Sequence, residues 1–295
     1  MAIYGLIVML AALMATGPFA LLGPRVKVSE ADRRDLDRGL TVAGIVPGGS
    51  GQVAVYAISA IDVAPEVLIS SARSIEDLKR SSFVKAIHRF SDPPQLDDLA
   101  TLSLPPREVQ AAMACVVGDC ALNLTAAEIT LLERAAVPHL DCEDRVQRAF
   151  REIVLARVNA YLAGGPEAIA PDAESFLYWS QETYGAGKPV VVVTHVSLVL
   201  PRQPGDPAIV VGRHIMATHY ITTGESLMAI TTDPLSGRRY LIYLNRIGLD
   251  LLGGMLGPIK RAMLESRLKR DVPGVIQRLR LRLERRGRLY VVEEE

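Results

Sequence analysis

The chain has 295 residues, a length that fits one large domain or one domain with an insertion, and 49% of them are hydrophobic against 22% charged. That balance excludes disordered and fibrous classes and predicts a folded core. Lysine plus arginine and aspartate plus glutamate both number 33, so the net charge is zero and no nucleic acid is expected as a partner.

From Met1 to Pro24 there is no charged side chain. Residues 1–24 therefore read as a secretory signal or as a membrane anchor, since about 20 apolar residues span a bilayer. The stretch lacks the charged start of a signal, and its small residues Ala15 and Gly17 would place a cleavage just before Pro18, so both readings stand. Arg25, Lys27, Arg33, Arg34 and Arg38 follow, which by the positive-inside rule hold that flank in the cytoplasm. Cysteine usage points the other way. Cys115 and Cys120 enclose a Gly118-Asp119 turn and are candidates for a small disulfide of the kind that persists in oxidising compartments, leaving Cys142 over. The expected location is the periplasm, free or anchored in the inner membrane, with the cytoplasmic face of that membrane as the alternative.

Residues 25–51, ending in Val46-Pro47-Gly48-Gly49-Ser50-Gly51, read as a linker, and the folded domain is expected over 52–288. Val53 to Ile61 predicts a strand, Pro65-Glu66 opens a helix running to about Leu78, and Ser82 to Phe90 predicts a second strand. A helical insertion is expected over about 91–188. Helical spacing marks Pro106 to Met113, Thr125 to Ala135 and Asp141 to Leu162, the last with Asp141 as N-cap. Glu174 to Tyr184, holding Tyr178 and the single tryptophan Trp179, is read as a further short helix.

The last third changes character. Pro189 to Leu200, Ala208 to Ile221, Glu225 to Thr232 and Arg238 to Gly248 read as four strands, and their short Gly- and Pro-rich connectors make an antiparallel meander. Leu249 to Arg288 predicts one or two helices with Pro273-Gly274 as a break, followed by a tail over 289–295. Ile259, Met263, Leu264, Leu268, Val272, Val275, Ile276, Leu279 and Leu283 fit one face of that helix. Between Lys260 and Arg288 eleven basic residues oppose three acidic ones. This is either a helix drawn to an anionic membrane surface or the solvated face of a packed terminal helix.

This order of elements resembles the START-like helix-grip fold of lipid and polyketide binding proteins, most closely at Ile58-Ser59-Ala60-Ile61-Asp62-Val63-Ala64-Pro65-Glu66-Val67 and over Tyr240 to Lys260. The resemblance implies an α+β fold with a curved antiparallel sheet wrapped around a long C-terminal helix and an apolar cavity between them. The helical stretch of about 100 residues departs from the family pattern. Through FSDPPQLDDLATLSL, CVVGDC, FLYWS, VTHV and THY the chain is also similar to a group of uncharacterised exported bacterial proteins.

His195, His214 and His219 fall on the late strands, but alternation puts His214 and His219 on opposite faces, and neither a metal nor a cofactor is expected. Ser197 lacks a nucleophile elbow, and Gly253-Gly254-Met255-Leu256-Gly257 lacks the ending of a phosphate loop. What remains is a few polar groups on an apolar sheet. His195, His219, Tyr220, Tyr243, Asn245 and Arg246 are candidate ligand contacts, with Trp179 at an entrance. The function expected is non-catalytic binding of an apolar or lipid-like small molecule. Two alternatives stand beside it: an envelope enzyme using His195 or His219 as acid or base, and a membrane-associated scaffold or assembly protein.

Overall fold

β-branched residues dominate the late apolar runs and tight turns separate them, so each run reverses onto its predecessor. The computed structural model describes residues 17–49, 51–136, 142–166, 169, 170, 172–183 and 187–293. In chain order its elements are α1 (Glu30–Asp37), β1 (Val42–Val46), β2 (Gln52–Ala60), α2 (Glu66–Arg73), α3 (Ile75–Leu78), β3 (Val84–Arg89), α4 (Pro106–Met113), α5 (Ala126–Ala135), α6 (Cys142–Ala163), β4 (Glu174–Glu182), β5 (Val190–Val199), β6 (Ala208–Ala217), β7 (Ile221–Thr232), β8 (Arg239–Leu249) and α7 (Gly257–Glu293). The strands form one antiparallel sheet in the order β1-β2-β8-β7-β6-β5-β4-β3.

Both faces of this sheet are apolar and both are covered. On the concave face Val55, Leu241, Ile230, Val210, Leu198 and Phe176 meet α2 and a stripe of α7, Val272, Ile276, Leu279 and Leu283. Gly287 lets α7 come close to the residues that lead into α2, for a Cβ there would lie 2.9 Å from Val63 Cγ1. The convex face is shared. Leu177, Trp179, Val191, Val193 and Met216 pack under Phe150, Val154 and Val158 of α6, while Ile58, Ile209, Ala229 and Ile242 pack under Leu21, Leu22 and Leu36. The curved sheet on a long C-terminal helix is the expected α+β arrangement.

Five boundaries differ from expectation. The stretch read as a linker over 25–51 carries α1, fixed by a capping box between Ser29 and Asp32, and β1, which pairs with β2 from Val42↔Ile58 to Val46↔Ala54. Gly44 is needed there because a Cβ would lie 2.6 Å from the Tyr56 ring. The apolar N-terminal segment does not stay outside the domain to Pro24: Thr231 Oγ1 donates to the Pro18 carbonyl at 3.0 Å, and Leu21 and Leu22 are buried. Residues 1–16 lie outside the described residues, and among those described no helix is long and apolar enough to cross a membrane.

Glu174 to Glu182 is a strand, not a helix, and so splits off from the helical insertion; Phe176 and Tyr178 face one layer and Leu177 and Trp179 the other. Burial on both sides erased the alternation that marks a half-exposed strand. Tyr184 and the proposed cap Asp141 lie outside the described residues. Pro273 does not break α7, which continues through it, and the expected tail is helical as far as Glu293. Cys115 and Cys120 form the expected disulfide with Cα atoms 4.4 Å apart, and Cys142 is free.

The grip rests on the C-terminal half of α7. Ile276→Ala should therefore cost about 2 to 5 kcal/mol in urea unfolding, whereas Met263→Ala, at a side chain 70% exposed, should stay within about 0.5 kcal/mol. Equal losses at the two positions would remove the stripe as the seat of the packing.

Candidate functional site

Alternation along the strands gives the concave face two unlike halves. Toward the start of β8, Leu241 and its neighbour Ile230 are fully buried, so the sheet is sealed against α2 and α7. Further along the same strands Ser226, Met228, Tyr243, Asn245 and Ile247 are only half-buried, and so is His214 on β6. The grip is closed at one end and open at the other.

Beside the closed end lies a cavity of about 950 Å³, lined by Val63, Val67 and Ile69 near α2, by Leu200 and Pro201 after β5, and by Gly287 of α7. Asp62, Glu66, Arg73, Arg239 and Arg288 also line it. Apolar walls carrying a few charged groups suit a small amphiphile.

The open half holds a partly buried ion pair. Lys79, which caps α3, donates to Glu182 Oε1 at 2.5 Å and to Tyr178 OH at 3.1 Å, and Ser180 Oγ donates to the same carboxylate at 2.7 Å. Across the sheet Asn245 Nδ2 donates to Tyr243 OH at 3.0 Å, and burial raises the Tyr243 pKa above the ordinary tyrosine value. Burial, with Lys79 adding to it, lowers the His214 pKa from 6.5 to about 4. Its ring lies over Gly224, where a Cβ would come within 2.0 Å of Nδ1.

Of the expected ligand contacts, Tyr243 and Asn245 meet in this open half. The others do not join them. His195 faces the helical layer, where Nδ1 lies 2.9 Å from Tyr161 OH, and burial followed by Arg213 lowers its pKa. His219 sits in the turn after β6 with Nε2 2.7 Å from Glu108 Oε2, both side chains buried. Tyr220 holds that turn at φ 56° and its carbonyl accepts from Asp250 N at 2.9 Å. Arg246 lies on the convex side, because it alternates with Tyr243 and Asn245 along β8. Trp179 is fully buried and donates Nε1 to the Asp98 carbonyl at 2.8 Å, so it lines no entrance. No group of three or more metal-ligating side chains occurs among the described residues. Sequence reasoning missed Lys79 and Glu182. Their partnership spans 103 positions, and the only signal was a charged residue ending a strand that had been read as a helix.

Topology and packing together define a helix-grip protein of the α+β class. No family model matches the chain, and no curated protein does. Among solved structures, human STARD10 is similar over 88% of this chain and 82% of its own, at 9% sequence identity and a TM-score of 0.39. The assignment rests on the strand order and the helix contacts.

His214 makes stability depend on pH. Its folded pKa lies below its unfolded value, so the unfolded chain binds more protons and stability is lost as pH falls from about 6.5 toward 4. Lys79 opposes a second positive charge there and Glu182 favours it. The urea midpoint should drop over that window, and His214→Asn should flatten the drop; an unchanged slope would clear His214 of the effect.

Proposed function

We propose that the protein binds an apolar or lipid-like ligand without transforming it, at the bacterial cell envelope. The observation that carries this reading is the apolar-walled cavity of about 950 Å³ between α2, the loop after β5 and the end of α7. Acid–base chemistry at His195 or His219 is disfavoured, because both imidazoles are buried inside the fold. The disulfide between Cys115 and Cys120 supports an oxidising compartment.

Contact with a membrane surface belongs to the same reading. Pro18 and Phe19 pack against Thr231 and Tyr240, a cross-strand pair next to Arg239, which lines the cavity. The apolar N-terminal segment therefore reaches the fold at the cavity's end of the sheet, where the basic end of α7 also lies. The arginines of that helix are of two kinds. Arg280, Arg282 and Arg286 donate into the fold, to the Gly39 carbonyl at 3.1 Å, the Arg80 carbonyl at 2.9 Å and Ser74 Oγ at 3.1 Å. Arg278, Arg285 and Arg288 are exposed.

Two experiments test the reading. The uncharged probe N-phenyl-1-naphthylamine should bind saturably, and Ser70→Trp, at a half-buried cavity-lining position, should abolish that binding while the protein stays folded. Saturable binding that survives the tryptophan would place the ligand elsewhere. On anionic vesicles, changing Arg278, Arg285 and Arg288 together to Gln should weaken binding by about 1 kcal/mol per charge at most, less in high salt, with thermal stability intact. The same change at Arg280, Arg282 and Arg286 should lower the melting temperature instead. Vesicle affinity indifferent to the exposed triplet would count against the membrane surface.

A further inference from the structure

The open half of the concave face carries hydrogen-bonding groups that the protein leaves unused. Thr194 Oγ1 and His214 Nδ1 are buried without a partner among the described residues, and the two residues are directly paired across β5 and β6. Ser226 and Asn245, paired across β7 and β8, continue the row on the same face. Asn245 spends its amide on Tyr243, and its side-chain oxygen has no partner among the described residues. Four adjacent strands thus present one polar belt across the open half of the concave face. Buried polar atoms are nearly always paired, so two orphans side by side mark a place where something else completes the bonding.

We propose that Thr194, His214, Ser226 and Asn245 seat the head of an uncharged, hydroxyl-bearing amphiphile, an inference that rests on the reading of the protein as a binder of apolar ligands. A hydroxyl both donates and accepts, and the belt offers hydroxyl donors beside nitrogen and oxygen acceptors. Charge balance selects against an acid. Lys79 and Glu182 neutralise each other at 2.5 Å, so a carboxylate or phosphate head would meet a cation already engaged by a carboxylate. The low pKa of His214 fits, since the ring stays neutral at ordinary pH. Met228 and Ile247, half-buried on the same strands, and Leu268, partly buried against the same core, provide apolar surface for the tail.

The test compares a fluorescent polyene alcohol, parinaryl alcohol, with the matching cis-parinaric acid on the full chain. The alcohol should bind about tenfold more tightly than the acid. Thr194→Val should weaken the alcohol about fivefold, the loss expected for one hydrogen bond, and leave the acid unchanged. The melting temperature of the free protein should hold or rise, because the substitution removes an unpaired hydroxyl; a purely structural threonine would lower it. Ser226→Ala should act on the alcohol in the same direction. Preference for the acid, or alcohol affinity unmoved by both variants, overturns the belt. If binding is then still abolished by Ser70→Trp, the cavity reading survives alone; if neither probe binds the wild-type chain, both fall.

Discussion

Everything in this fold follows from an antiparallel sheet whose two faces are both too apolar for water. β5 shows the constraint most plainly: VVVVTHVSLV is buried at nine of its ten positions, leaving no side for solvent. Each fully buried valine or leucine is worth about 1.5 to 3 kcal/mol, so an uncovered face would cost more than a domain's net stability. The chain meets the requirement with three covers drawn from distant parts of the sequence. α7 with α2 seals one end of the concave face, the helices between β3 and β4 close one half of the convex face, and Leu21, Leu22 and α1 close the other. The long insertion that departs from a plain helix grip is thus the lid of a second core.

The parts legible in the sequence were those with a local cause. Turn residues at Pro204-Gly205-Asp206 and Ser236-Gly237 announced the meander, and the spacing of Val272, Ile276, Leu279 and Leu283 announced the face of α7. β4 was illegible because its periodicity is hidden: Phe176 and Tyr178 serve one core while Leu177 and Trp179 serve another. β1 was missed for a different reason. Its five residues lie between Gly39 and Pro47-Gly48-Gly49, and pairing with β2 decides the strand where its own propensity does not. Pro273 costs a helical hydrogen bond, about 3 kcal/mol in an isolated helix. Val272 and Ile276, buried on either side, offset that cost, which no local rule registers.

The candidate site divides along the same line. Tyr243 and Asn245 could be found because they are polar residues on a strand that its own residues mark, and only the register of β8 separates them from Arg246. His195 and His219 could not be told from His214 by sequence, since what separates them is satisfaction. Two have partners, Tyr161 and Glu108, whereas His214 Nδ1 has none among the described residues. A histidine that completes its bonding inside the protein stabilises an interface between layers. One that does not is held neutral by burial and retains capacity for a ligand.

Packing along α7 is uneven, and the two ends of the helix are held to the fold to different degrees. From Val272 to Leu283 the helix buries its stripe, but Met255, Leu256, Ile259 and Met263 are mostly exposed, and Arg267 and Arg270 share one carboxylate, Asp271, on the outside. Local opening follows the number of buried apolar contacts that must be broken, so the first turns of α7 separate from the sheet at far lower cost than the last. Gly254, at φ 72°, stands in the connection just before them, where a residue free of Cβ strain tolerates a change of direction. The buried stripe from Val272 to Leu283 therefore keeps the sheet in shape when the first turns of the helix open.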